Sequence, residues 1–221
     1  MWQWVLRYFA PALPVLAVLA AVALARLPRP IPVLLLVLAC WWGAGVVRLH
    51  LGPNPRVVAT EWMRALPAGT AIGVETDWDE GLPVQRYTPV SLPAHETPGP
   101  FRFIKLQLTD AEDEGTARRL AEALDQTEYL AISSGRQSEV IPRLPQRFPI
   151  VTRYYAALAE GRLCFTRVFL ADSGFPLPLF PFDDRFTQEP WRVYDHPVVQ
   201  IWQKEPCFNR TAAERILSGQ D

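Results

Sequence analysis

Three carboxylates recur at alternate positions in Val74-Glu75-Thr76-Asp77-Trp78-Asp79-Glu80. An extended chain sets Glu75, Asp77 and Asp79 on one face, and the apolar residues before them read as a strand. Open α/β sheets take their ligands at the carboxyl ends of strands. Carboxylates grouped there, with Glu80 beside them, can hold a divalent cation, sugar hydroxyls or a cationic group, and Trp78 adds a stacking face. A solvated acidic turn is the plainer reading. No glycine-rich phosphate loop opens a helix, so a nucleotide site has no support.

Positive groups gather later, at Arg136, Arg143, Arg147 and Arg153, around Tyr154 and Tyr155. Guanidinium forks match phosphate oxygens in pairs, so a lipid-linked phosphosugar head group is a chemically apt guest. Internal ion pairs that pin a proline-broken loop are the alternative. Asp195-His196 has the residue types of a general-base pair, but neighbours in a tight turn before Pro197 seldom face each other, which favours a turn. His50 and His95 have no partners at metal-ligand spacing. Cys164 opens one predicted strand and Cys207 follows another; antiparallel pairing of those strands brings the sulfurs together, and a disulfide fits an oxidising compartment. Two separate, partly buried thiols remain the other possibility. Asn209-Arg210-Thr211 is formally a glycosylation acceptor.

The elements that must position these groups are legible from periodicity. Asn54-Pro55 opens a helix carrying Val58, Trp62, Ala65 and Leu66, and Ala71–Glu75 is a strand. Residues 81–100 read as an irregular, proline-rich loop. Phe103–Leu108 is the next strand, and Thr109 with Glu112 forms a capping box for a helix striped with Ala117, Leu120, Ala121 and Leu124. Tyr129–Ser133 is a short central strand, residues 152–160 a helix stopped at Gly161, and Phe165–Ala171 a half-buried strand. Residues 191–194 and 198–203 suggest a hairpin about Asp195-His196-Pro197, and Thr211 with Glu214 a second capping box for a short terminal helix. This order specifies a mixed sheet with flanking helices.

Residues 1–50 are a different kind of chain. From Tyr8 to Ala25 and from Ile31 to Val47 no side chain is charged, two runs of about 17–18 residues, near the lower limit for crossing ~30 Å of hydrocarbon. Both are apolar all round a helical wheel, which leaves no face for water. Trp2, Trp4 and Tyr8 before the first run, and Arg48 and His50 after the second, are interfacial anchors. The sequence therefore predicts a membrane α-helical hairpin over residues 1–50, followed over residues 51–221 by an extracytoplasmic α/β domain with a mixed sheet and flanking helices. Arg26 and Arg29 in the tight connection favour a cytoplasmic loop and an outside domain, although Arg7, Arg48, Arg56 and Arg64 weigh the other way. Arg7, the first apolar run and Ala23-Leu24-Ala25 also imitate a signal peptide, but cleavage there would leave the second helix as an anchor. A net charge of −1 argues against a general nucleic-acid binder.

The ordered motifs Ser133-Ser134-x-Arg136, Ile141-Pro142-Arg143-Leu144-Pro145-x-Arg147-Phe148-Pro149, Arg153-Tyr154-Tyr155 and Val193-Tyr194-Asp195-His196-Pro197-x-Val199 resemble the C-terminal region of the archaeal and chloroflexal YYY-type membrane proteins. These are similar to protein-mannosyltransferase-like glycosyltransferases of the membrane C-type fold. The resemblance spans roughly residues 56–204, and Asp77-Trp78-Asp79-Glu80 looks like a piece of the same pattern. It implies a last helical pair followed by an extracytoplasmic domain, in a protein that moves a sugar from a polyprenyl-phosphate carrier. The acidic catalytic loop of such enzymes follows their first membrane helix, where this chain has only Arg26-Leu27-Pro28-Arg29-Pro30. The expected role is thus a C-terminal accessory module, a truncated reading frame or a separate subunit working with the remaining membrane part of the enzyme and without turnover alone. A non-enzymatic anchored domain that binds a partner or glycan is the competing expectation.

Overall fold

The computed structural model describes residues 11–75, 81–83, 100–174, 187, 189 and 191–220. Helix α1, Leu13–Leu24, has Pro14 in its first turn and buries nothing. Its 12 residues rise about 18 Å, and the start of the predicted run, from Tyr8, lies outside the described residues. Pro14 stands in the first turn, where a missing N–H does no harm.

Helix α2, Pro30–Leu51, is longer: its 22 residues rise about 33 Å, enough to span hydrocarbon. The helical stretch beginning at Pro30 contains a window of mean hydropathy 2.0 of which 6% is buried. An apolar core helix would be mostly covered. Among the described residues this is the one helix long and apolar enough to cross a membrane. Only Gly45 and Leu49 are buried along it, both near its end.

Gly52 and Pro53 break the chain, and α3, Pro55–Met63, starts as the sequence predicts: the Asn54 side chain accepts from the Arg56 N–H at 2.9 Å, with Pro55 in the first turn. A mixed five-stranded sheet follows, β1 (Ala71–Val74), β2 (Arg102–Lys105), β3 (Tyr129–Ile132), β4 (Phe165–Ala171) and β5 (Val199–Lys204). Its order is β2-β1-β3-β5-β4. β1 runs parallel to β2 and β3, and β5 runs antiparallel to β3 and β4.

Alternation along the strands divides the core into two layers. Ile72, Val74, Ala131, Val199 and Ile201 pack with Ala59 and Met63 of α3. On the other face Leu130, Ile132 and Phe165 pack under α4 (Thr116–Gln126), α6 (Pro149–Ala159) and α7 (Arg210–Ser218). The predicted stripe Ala117, Leu120, Ala121 and Leu124 is the buried face of α4. A Cβ on Gly73 would lie 2.7 Å from Leu130 Cδ2 and 2.9 Å from Thr127 Cγ2, so this strand position has room only for hydrogen.

Three local expectations are corrected. Residues 191–203 form no hairpin: Trp191–Asp195 is a single wide π-type turn, and β5 pairs with β3 and the earlier β4. Glu112 does not cap α4; its two oxygens accept from Ile150 N–H at 2.8 Å and Val151 N–H at 2.9 Å, capping α6, whose own preceding residue Phe148 has no acceptor. The terminal helix is capped by Asn209, which accepts from Ala212 N–H, and not by Thr211. The segment 81–100 lies almost wholly outside the described residues.

Register fixes what meets what. Ile132 faces Gln200 and Val199 faces Ala171, so the carboxyl ends of the parallel strands, the start of β5 and the end of β4 share one end of the sheet. Phe165 faces Lys204 at the opposite end, where the Cys164–Cys207 disulfide closes with Cα atoms 5.8 Å apart. The tip of α2 meets the first end. There His50 Nδ1–H donates to the Val46 carbonyl at 2.9 Å, and Nε2 stands 3.4 Å from Asp195 Oδ1.

Arg56, one turn beyond that tip, binds the junction together. Its guanidinium is buried, with Nε donating to the Ser133 carbonyl at 3.2 Å and Nη2 to the Val193 carbonyl at 2.5 Å. Arg56→Ala strands two buried acceptors, and the expected loss is about 3 kcal/mol. It should be read as a lower denaturation midpoint of the full chain in detergent at unchanged slope. Arg56→Lys should recover less than half of it, because one ammonium cannot reproduce the fork.

Candidate functional site

Glu75 follows β1 directly and points to the face opposite Val74, toward α6. It is 6% exposed. Tyr154, fully buried, donates its hydroxyl to Glu75 Oε1 at 3.3 Å. Tyr155 packs beside it, the two rings 4.9 Å apart and tilted by 56°, as consecutive helical positions allow. Burial drives the Glu75 carboxyl up to about 8, against a smaller pull downward from the two tyrosine hydroxyls. Burial, then the neighbouring carboxyl, raises both tyrosines well above their ordinary value. Glu75 is therefore mostly a neutral acid at physiological pH, able to give or take a proton close to it.

An opening of about 250 Å³ shares Tyr155 with this group and is otherwise walled by Trp202, Gln200, Ile132, Ser138 and Glu139. Trp202 Nε1 at its wall and both amide atoms of Gln137, beside Ser138, are buried without a hydrogen-bond partner, and the Tyr155 hydroxyl stands near enough to Glu75 to pull on it without a well-aligned hydrogen bond. Glu139 is ion-paired with Arg192. The other polar groups lining the opening, Ser138, Tyr155, Gln200 and Trp202, are neutral donors and acceptors. Such a set suits hydroxyl groups better than phosphate, which calls for fixed positive charge.

No family model, curated protein or solved structure matches this chain. Its site is read from geometry alone.

Of the residues singled out in the sequence, Asp77, Trp78, Asp79 and Glu80 lie outside the described residues. Glu75, expected to share an exposed face with Asp77 and Asp79, is buried against α6 instead. Tyr154 reaches the site, as Glu75's partner. The four arginines have separate neighbours. Arg136 donates to Glu189 at 2.9 Å and to the Tyr194 hydroxyl at 3.0 Å. Arg153 donates to the Leu217 carbonyl at 2.6 Å, joining α6 to the end of α7. Arg147 lies over the Phe148 ring, 5.2 Å from its centre, and both Arg143 and Arg147 are exposed. Among the described residues no group of three or more His, Cys, Asp or Glu could hold a metal ion.

Sequence reasoning missed Gln137 and the burial of Glu75, and placed Tyr154 and Tyr155 with the arginines instead of with this acid. The available signal was that Glu75 directly follows the apolar strand Ala71–Val74.

Linkage gives Glu75 a clear signature. Its folded-state value exceeds the unfolded one of 4.5, so the folded state holds an extra proton between the two, and stability falls as pH rises from about 5 to 8. The expected fall is on the order of a few kcal/mol. Glu75→Gln, neutral throughout, should flatten that slope and raise the melting temperature at pH 8 relative to the parent. A parent profile already flat over this window would contradict the buried acid.

Proposed function

We propose that this chain is a membrane-anchored module, with two N-terminal spans and an extracytoplasmic α/β domain, that serves as the C-terminal accessory part of a glycosyltransferase-like membrane protein using a polyprenyl-phosphate-linked sugar. The observation that carries this reading is the shared sheet end. The carboxyl ends of β1 and β3, with Glu75 just past β1, stand at the end of the sheet that the tip of α2 meets. A bilayer crossed by α2 would then lie just beyond the hydroxyl-reading pocket, at the depth of a lipid-linked sugar. Neutral donors and acceptors there fit a sugar ring. No residue is assigned a catalytic role, and the module works with the remaining membrane part of the enzyme.

The Cys164–Cys207 bond supports an oxidising compartment for the domain. Arg143 and Arg147, exposed and close in sequence, are the two guanidiniums left to meet a carrier phosphate. Asp77, Trp78, Asp79 and Glu80 remain candidates for sugar or divalent-cation contact. A second reading, a non-enzymatic anchored domain that binds a partner or glycan, draws support from Arg136 and Arg153, whose contacts are internal.

Orientation is testable on intact cells with a membrane-impermeant maleimide and a Cys40→Ala background. Labelling should occur from outside only after reduction, and the chain should stay in membranes washed at alkaline pH. Labelling confined to lysed cells would overturn the extracytoplasmic placement. Separately, the double substitution Arg143→Ala with Arg147→Ala should weaken binding of a polyprenyl phosphate by about tenfold or more, roughly 1.4 kcal/mol. Unchanged binding would favour the non-enzymatic reading.

A further inference from the structure

The geometry points to a phospholipid-binding cleft between the tip of α2 and the end of β4, selective for a headgroup that carries both a phosphate and an ammonium. The inference rests on the membrane reading above but concerns a different site from the Glu75 pocket. The cleft has a volume of about 460 Å³ and opens to the surface. Its walls are largely apolar: Leu49 from α2, Val58 from α3, and Phe169 and Leu170 from β4. Val58 is 36% and Leu170 48% exposed, and the adjoining α2 surface is barer still, with Val47 at 57% and Leu51 at 80%. Exposed apolar surface thus continues from α2 onto the domain, which on a soluble surface would be an aggregation liability.

Two charges of opposite sign complete the cleft. Arg48, in the last turn of α2, is exposed, and no described residue engages it in a hydrogen bond or ion pair. At the end of a spanning helix its guanidinium reaches the phosphate layer. Asp172, just past β4, lines the other side, and one of its oxygens accepts from the Gly174 N–H at 3.0 Å. A phosphate seated on Arg48 with an ammonium on Asp172 satisfies both, while one acyl chain follows Leu49, Val58 and Leu170 down toward the bilayer. The occupant that matches is phosphatidylethanolamine. A purely anionic lipid would bring its charge against Asp172, and diacylglycerol would leave both charges unmet.

The full chain, purified in detergent and titrated with individual lipids under native mass spectrometry, reads the site directly. Wild type should retain one phosphatidylethanolamine, with phosphatidylglycerol bound about tenfold more weakly and diacylglycerol weaker again. Arg48→Gln and Val58→Trp, the second filling the cleft, should each lower retention by about tenfold. Asp172→Asn should erase the preference over phosphatidylglycerol. Leu35→Trp, on the lipid-facing surface of α2, should change nothing. Equal retention of all three lipids, or retention unaffected by both Arg48→Gln and Val58→Trp in folded protein, overturns the cleft. So does efficient competition by soluble phosphorylethanolamine, which lacks the chains. Alkaline extraction separates the two claims: a chain that stays in washed membranes without lipid preference sinks the cleft alone, and one that washes off sinks the membrane reading as well.

Discussion

The arrangement depends on one buried guanidinium. Arg56 sits at the start of α3, five residues beyond the end of α2, and satisfies carbonyls of Ser133 and Val193 that are remote from it and from each other in sequence. A buried charge is tolerated only where its hydrogen bonds are met, so its partners must stand where its fork can reach them. That requirement joins the end of β3, the wide turn before β5 and the root of α2. With the His50–Asp195 contact, it makes the carboxyl end of the sheet the end that faces the helix.

Glu75 shows the opposite solution to burying an ionisable group. Arg56 keeps its charge and is given carbonyls, whereas Glu75 is given tyrosine hydroxyls and gives up its charge near neutrality. The two lie at the same end of one sheet, in layers on opposite faces: Arg56 on the helix that covers Val74, and Glu75 turned toward α6. At the opening beside Tyr155 the one charged lining residue, Glu139, is paired with Arg192.

Much of the fold was legible because its signals are local. Asn54-Pro55 announces α3, the stripe from Ala117 to Leu124 announces α4, and Phe165–Ala171 is the observed β4 to the residue. Caps were read less well, since Glu112 and Thr109 have the right spacing for a box but Glu112 is drawn to α6 by tertiary proximity. The supposed hairpin failed for a related reason: β5 finds its partners in β3 and β4, and adjacency in sequence had no say. At the site, charge was the visible signal. Arg136 and Arg153 attracted attention as phosphate ligands and are tied to Glu189 and Leu217, while the neutral groups that gather beside Glu75 carry no spacing that marks them in advance.

The double acceptance by Glu112 has a wider consequence. The residue belongs to the surface connection between β2 and α4, yet it holds the first turn of the helix that bears Tyr154 and Tyr155. The first turn of α6, and with it the placing of both phenol rings, is therefore anchored by a carboxylate that arrives from almost forty residues earlier in the chain.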